Sequence, residues 1–504
     1  MTEEVPSVET ETEEGKIEND NKGEEKMSTK IEKKPFLKSL INHNPVMTQR
    51  FGADPYALVY DGRVYLYMTG DDFMYEADGS IKENNYSNIN KINVISSADL
   101  VNWTDHGTVY AAGPKGAATW GGNSWAPAAA YKNIDGKDKF FLYFANSGNG
   151  IAVLESDTPY GPFTDPIGKA LISRETPTCA SVAWLFDPAV LMDGDDAYIY
   201  FGGGIPSPDK ADNPGTARVA KLGADMISLD GDPVPIENVP YLFEDSGINK
   251  FGDTYYYSYC SNFSMTPEAV SELKFEQGEI VVMKSDNPMG PFELVKGVLK
   301  NPGYFFGEGG NNHHCMFEFN GEWYITYHAR LLEKEMGVLK GYRSTNIDKL
   351  SLDENKAPKI ALGTKEGVKQ VKAFDPFETV SAVTLGNASG IETVQYGESA
   401  EKYGSGQMIL TGISDGSWTG IYGADFKDGA HKLTVSVRGE GTGTINVYLD
   451  SLGGDPICVL DVNAPGAEFT EITGALDKVP EGEHNLFFIF TGSDYELLSW
   501  KFEK

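Results

Sequence analysis

Cysteine is scarce in this chain. Four are spread over 504 residues, Cys179, Cys260, Cys315 and Cys458, with no CxxC pair among them. That spacing excludes a zinc ribbon and a dense disulfide framework and leaves small buried hydrophobes as the expected role. Long apolar runs are missing too, and none approaches the ~18 to 20 residues of a membrane-spanning helix. Positive charge is short, with 42 Lys and Arg against 74 Asp and Glu for a formal net charge of −32. Such a surface disfavours nucleic acid and anionic membranes and favours solubility. Residues 1–34 contain no aromatic residue. A segment so polar cannot offset its ordering entropy by burial, so a disordered acidic arm is expected there. It also lacks the apolar centre of a signal peptide. The expected location is extracellular, with the leader already removed, and cytoplasmic is the alternative.

Aromatics, in contrast, are plentiful, with 26 Tyr and 26 Phe, and they fall in a repeating pattern. FGADPYALVYDGRVYLYMTGDD starts at Phe51. SWAPAAAYKNIDGKDKFFLYFANS, FDPAVLMDGDDAYIYFGGG, FEDSGINKFGDTYYYSYCSN and HHCMFEFNGEWYITYHAR follow the same plan. Each copy has a short apolar strand, a turn on Asp-Gly, Gly-Asp or Asn-Gly, and an alternating aromatic strand, which is a hairpin signature. Five units too small to bury their own faces imply a radial array, and looped four-stranded blades of roughly 40 to 50 residues or more fit their spacing. The sequence therefore predicts a five-bladed β-propeller over residues 35–372. Shorter strands from GQMILTGI to LLSWKFEK predict a β-sandwich over 373–504, making the chain all-β.

In a propeller the first strand of each blade lines the axis, so the residues that open the repeats converge. Taken as equivalent openers, these are Asp54, Pro127, Asp187, Glu244 and His313. A single Asp-Pro step reads as a turn cap, but three acids at equivalent positions read as a site. Like charges in a partly dry funnel push their pKa values apart, and a separated acid and base is what glycoside hydrolysis uses. Trp120, Trp125, Trp184 and Phe243 lie at the same ends, where a flat apolar face stacks on a sugar or wedges two blades. Asn312, beside the histidine pair, is a candidate polar contact. His313 and His314 stand where an imidazole would reach an axial ion, and oxygen ligands nearby would make that ion calcium. Glu308, in GEGGNN, is a rival acid. Gly202-Gly203-Gly204 is not a phosphate loop, because no Lys-Ser/Thr or helix follows.

NPVMTQRFGADPYALVYDGRVYLY, SWAP, WLFDPAV, YLFEDSGINKFGDTYYYSY and GNNHHCMFEFNGEWYITYH together resemble glycoside hydrolase family 43, in particular its arabinoxylan arabinofuranohydrolases and xylosidases, over about residues 43–370. The resemblance implies a five-bladed propeller that inverts the anomeric centre. It makes Asp54 the general base, Asp187 the residue that tunes and orients the acid, and Glu244 the general acid, and it disfavours Glu308. It gives Trp125 and Trp184 as sugar-stacking positions, Arg343 as a sugar hydrogen-bond donor, and His313 before His314 as the protein ligand of an axial calcium. The implied activity is removal of α-L-arabinofuranosyl groups from arabinoxylan, a plant cell-wall polysaccharide, or from its oligosaccharides. A β-xylosidase is the nearest alternative, and a glycan-binding propeller without catalysis is the alternative of another kind.

Residues 374–504 resemble a family 6 carbohydrate-binding module through SGIETV, DGSWTGIYGADF, INVYLDS and HNLFFIFTG. Here Leu497 or Leu498 stands near the usual Asn, Ser499 replaces the Asp, Phe469 replaces the cleft tryptophan, and a paired-Glu calcium motif is reduced to Glu378. A working binder and a stabilising appendage are both readings of this module.

Overall fold

The computed structural model describes residues 31–397 and 407–504. Most of the expected arm lies outside the described residues. Residues 31–34 were expected to belong to it, but they lie against the second domain: the Lys34 N–H donates to the Gly416 carbonyl at 2.8 Å, and the Trp418 indole N–H donates to the Lys34 carbonyl at 3.2 Å.

Five antiparallel sheets form the propeller. The first blade is Ala53–Tyr60, Arg63–Thr69, Lys91–Ser97 and Trp103–Tyr110, and the second runs from Trp125–Ile134 to Ile172–Ser173. The third begins at Ala189–Asp193, the fourth at Leu242–Phe251, and the fifth contains His314–Phe319, Glu322–Ala329 and Ser344–Leu350. The opening strands touch in a closed ring, each meeting the next and His314–Phe319 returning to Ala53–Tyr60. Turn chemistry sets the hairpins. Asp61-Gly62 and Asn320-Gly321 have φ of 48° and 70°, and of 54° and 79°, the paired positive values of a tight turn whose twist matches the strands. Aromatic and aliphatic side chains of facing sheets fill the space between blades, as where Phe141, Tyr143 and Ile151 meet Val190, Ile199 and Phe201.

The chain ahead of the first strand closes the ring. It lies beside Ser344–Leu350 as an outer member of the fifth blade, with the Val46 N–H on the Thr345 carbonyl at 2.9 Å and the Gly52 N–H on the Arg343 carbonyl at 3.1 Å. The Asn44 amide bonds the backbone of Ile347 in both directions, at 3.0 and 2.8 Å.

The C-terminal domain is a sandwich of two antiparallel sheets. One carries Lys432–Gly439, Gly466–Ala475 and Tyr495–Glu503, and the other Trp418–Asp425, Thr442–Leu449 and Glu483–Gly492. Leu433, Val435, Ile445, Phe488 and Phe502 are buried between them. Cys458–Asn463 adds an edge strand beside Thr442–Leu449, and all four cysteines are buried and free. The sandwich is stitched to the first blade: Thr384–Leu385 pairs with Trp103–Tyr110 as an added strand. The Asn102 amide donates to the Tyr422 carbonyl and accepts its N–H, both at 2.8 Å. Among the described residues, no helix is long and apolar enough to cross a membrane.

Candidate active site

Four blades enter the axis with one backbone device. Asp54, Ala126, Asp187 and Asp245 sit in the left-handed region at φ of 48°, 41°, 50° and 67°. Irregular register surrounds three of them, between Ala53 and Tyr56, Trp125 and Ala128, and Glu244 and Gly247. Non-glycine residues avoid this region unless their surroundings over-determine it, and such strain gathers at functional sites. The device corrects the alignment of the repeats. Asp245, not Glu244, is the equivalent of Asp54 and Asp187, and Ala126 rather than Pro127 holds that position in the second blade. Because side chains alternate along a strand, this one-residue offset sends the two neighbours different ways. Asp245 is fully buried beneath the axis, and Glu244 reaches the cavity above it.

That cavity has a volume of about 500 Å³ and is lined by Asp54, Asp187, Glu244, Trp125, Trp184, Phe243, His313 and Arg343 of the expected residues. Tyr86, Ala126, Gly148, Phe186 and Asn311 complete it. Asn312 is a correction. It is fully buried and turned away, its amide donating to the Gly278 carbonyl at 3.0 Å, and its neighbour Asn311 lines the cavity instead. Trp120 takes the second of its two readings: its indole N–H donates to Asp165 at 2.7 Å, and its ring packs between the first two blades. Glu308 does not line the cavity. His314 has both ring nitrogens engaged, Nδ1 with Asp245 at 2.5 Å and Nε2 with Ser258 at 2.9 Å.

The three carboxyls are all buried, at 5, 4 and 7 % exposure for Asp54, Asp187 and Glu244, but their partners differ. Asp54 receives Arg343 Nη1 at 3.1 Å on Oδ1 and the Thr69 hydroxyl at 2.7 Å on Oδ2. Its own N–H donates to His328 Nδ1 at 3.1 Å, so Nδ1 is the acceptor and Nε2–H is left to donate to the Asn311 carbonyl at 3.0 Å. Burial pushes the Asp54 pKa up, yet the Arg343 charge outweighs it and holds this carboxyl well below the ordinary range. Neither of the other two touches an arginine or a lysine, and His313 Nδ1 lies 3.8 Å from Asp187 Oδ2. Burial first, then the like charges of Asp187, Asp54 and Asp245, push Glu244 well above the ordinary value. Burial raises Asp187 too, but Asp187 Oδ2 accepts the Asp245 N–H at 2.9 Å, whereas Glu244 Oε1 has no hydrogen-bond partner. A proton shared by this pair therefore rests on Glu244.

Arg343 is itself held. Asp71 accepts its backbone N–H at 2.8 Å, Nε at 3.1 Å and Nη2 at 3.3 Å, and the guanidinium carbon lies 4.7 Å from the centre of the Tyr86 ring. The aromatic wall is seated on glycine. Trp184 exchanges backbone hydrogen bonds with Gly203 at 3.0 Å, and a Cβ on Gly204 would come within 2.7 Å of the indole. The three-glycine run is thus the bed of Trp184, which is 38 % exposed and edge-on to Phe186 and Phe243 at 5.3 Å.

An axial cation has a partial fit. Asp245 Oδ1 is buried without a hydrogen-bond partner and lies 3.1 Å from His313 Nε2, a nitrogen and an unsatisfied oxygen side by side. Among the described residues no group of three or more His, Cys, Asp or Glu is arranged to hold a metal. Calcium on this pair would take its other oxygens from water.

Residues 42–358 match the model of glycosyl hydrolases family 43. The chain belongs to glycosyl hydrolase family 43. Residues 381–504 match the family 6 carbohydrate binding module. The family 43 chain is 47% identical over 489 residues to an arabinoxylan arabinofuranohydrolase of Paenibacillus polymyxa, covering 93% of this chain and 75% of that one. It is 45% identical over 474 residues to the arabinoxylan arabinofuranohydrolase of Bacillus subtilis, covering 91% of each. A crystal structure of a Bacillus subtilis family 43 arabinoxylan arabinofuranohydrolase in complex with cellotetraose superposes with a TM-score of 0.88 at 43% identity, covering 93% of this chain and 99% of that one. This family 43 member is a glycoside hydrolase.

In its second domain, the residues that differ from the usual module are now placed. Leu497 is buried in the sandwich core, and Glu378 is exposed. Phe469 lies within the strand Gly466–Ala475 rather than in a loop, with its ring 5.4 Å from that of Tyr396.

Proposed function

We propose that this family 43 enzyme is an inverting exo-glycosidase that removes α-L-arabinofuranosyl groups from arabinoxylan or its oligosaccharides. The observation that carries the reading is the split among three buried carboxyls on one cavity: Asp54 is held ionised by Arg343, while Glu244 is pushed toward its protonated form. Inversion needs that pair, one carboxylate to take a proton from water and one carboxylic acid to give a proton to the leaving oxygen.

Asp54 is the general base, Glu244 the general acid, and Asp187 the residue whose charge keeps the proton on Glu244. Arg343 donates to a sugar hydroxyl from its fixed seat on Asp71, and Trp125, Trp184 and Phe243 offer ring faces to the sugar. His313 and Asp245 would hold a calcium ion, whose charge would stiffen the axis. The enzyme works outside the cell, where its polymer is found.

The test is sugar release from arabinoxylan and from xylo-oligosaccharides by wild type and Glu244→Ala. Arabinose from wild type alone supports the reading. Xylose as the sole product moves the protein to the xylosidase reading with the same residues, and no sugar from either substrate makes it a glycan-binding propeller. Chelation followed by calcium addition tests the ion, and an unchanged melting temperature would remove it.

A further inference from the structure

Near the end of the first repeat, Thr69-Gly70-Asp71 supplies the contacts already noted to Asp54 and to Arg343. Thr69 ends the second strand of the first blade and its side chain meets Asp54, and the Asp71 carboxylate two residues on meets Arg343. Thr69 Oγ1 donates to Asp54 Oδ2 at 2.7 Å and accepts the Ala126 N–H at 2.9 Å. The hydroxyl is therefore oriented: with its acceptor position taken by the second blade, its proton is directed at the carboxylate. Asp71 acts on the other oxygen through Arg343. It fixes the arginine through the backbone N–H, Nε and Nη2, which leaves Nη1 on Asp54 Oδ1 at 3.1 Å.

Asp71 has its own support, the Asn84 amide at 2.7 Å. The backbone between the two residues is pinned, with the Gly70 N–H on the Lys91 carbonyl at 2.9 Å and no room for a Cβ, which would meet that same oxygen at 2.9 Å. Thr69 and Asp71 are fully buried, and neither lines the cavity.

We propose that Thr69 and Asp71 are positioning residues that fix the carboxylate plane of Asp54, Thr69 directly on Oδ2 and Asp71 through Arg343 on Oδ1, so that the attacking water meets a single orientation of the base. The proposal rests on Asp54 being the base. A carboxylate held by one donor on each oxygen cannot rotate about its Cβ–Cγ bond without breaking one of them. A base that must face a water on one side of a sugar gains rate from that restriction.

The experiment is a double-mutant cycle on an activated aryl α-L-arabinofuranoside. Thr69→Val keeps the shape and removes the hydroxyl, and Thr69→Ser restores it. We expect Thr69→Val to lower kcat by about tenfold to a hundredfold with KM little changed, the range a small misplacement of a reacting group costs. We expect Thr69→Ser to recover most of that loss. In the Asp54→Ala background the same Thr69→Val change should add less than about twofold, because the group it acts through is gone. Asp71→Asn should lower kcat in the wild-type background and likewise add little in Asp54→Ala. An equal fold loss from Thr69→Val in both backgrounds, or no recovery with Ser, would overturn the positioning role and leave Thr69 a packing residue. Full activity in Asp54→Ala would instead overturn the base assignment itself, a distinguishable result.

Discussion

Replacing Glu244 by Gln keeps the shape of the side chain and removes its transferable proton. The structure sets the size of the effect. Among the other groups on the cavity, Asp54 is held ionised by Arg343, Asp187 Oδ2 is engaged by the Asp245 N–H, and the Tyr86 hydroxyl is pushed above its ordinary pKa, chiefly by burial. Asp187 is the one raised carboxyl left on the cavity, and its Oδ2 is already engaged, so the loss on arabinoxylan should fall in the upper part of the general-acid range, about 10³- to 10⁴-fold in kcat, or about 4 to 5 kcal/mol of barrier. An aryl glycoside departs as a stabilised phenolate and needs no proton, so its loss should be below about tenfold, and the alkaline limb of its pH profile should disappear. Folding should change by less than about 1 kcal/mol, since Glu244 Oε1 has no hydrogen bond to lose. The assay is steady-state release of arabinose and of the phenol, with urea unfolding as the stability control. Equal losses on both substrates, or a retained alkaline limb, would refute the reasoning.

Asp187→Asn removes a like charge from beside Glu244, so the Glu244 pKa falls and the alkaline limb of kcat/KM moves to lower pH; a limb that stays in place would break the coupling. The sign also fixes the pH dependence of folding. Glu244 is raised in the folded state, so its contribution is present below its unfolded value and lost as pH rises through the folded one. Asp54 is lowered, so its contribution is present above its unfolded value and lost as pH falls through the folded one. Arg343→Leu leaves Asp54 and Asp71 buried without their cation and should cost about 3 to 5 kcal/mol in denaturant unfolding; a cost near zero would mean that the site relaxes. Asn102→Ala breaks both bonds to Tyr422 at the junction of the domains and should cost about 1 to 3 kcal/mol, seen as a single calorimetric transition splitting in two. An unsplit, unshifted transition would show that the added strand alone holds the domains.

Much of the fold was legible because its signals are local. The Asp-Gly and Asn-Gly pairs force hairpins, the alternating aromatics need two packed faces, and five repeats of one hairpin leave little choice but a closed ring. The acids at the starts of those repeats could be read as a site for the same reason. Asn311, Gly148 and Tyr86 were not legible, because they lie on loops with no periodicity. Asp71 and Thr69 were in plain view in the first repeat, but the residue that gives Asp71 its role, Arg343, lies at the far end of the propeller sequence and meets it only when the ring closes.

The sequence by itself determined the propeller, the sandwich and a funnel of acids. Tertiary structure decided what each acid is. Asp54 and Asp187 share an Asp-Pro step and the same left-handed backbone, and nothing local tells them apart. The fifth blade brings the Arg343 guanidinium onto Asp54 and leaves Asp187 without one. The left-handed residue that opens the fourth blade is Asp245, and that single-residue offset lifts Glu244 into the cavity while burying its neighbour under the axis. An ionisation state depends on charges that arrive from distant parts of the chain, and in a strand the direction of a side chain depends on register to the single residue.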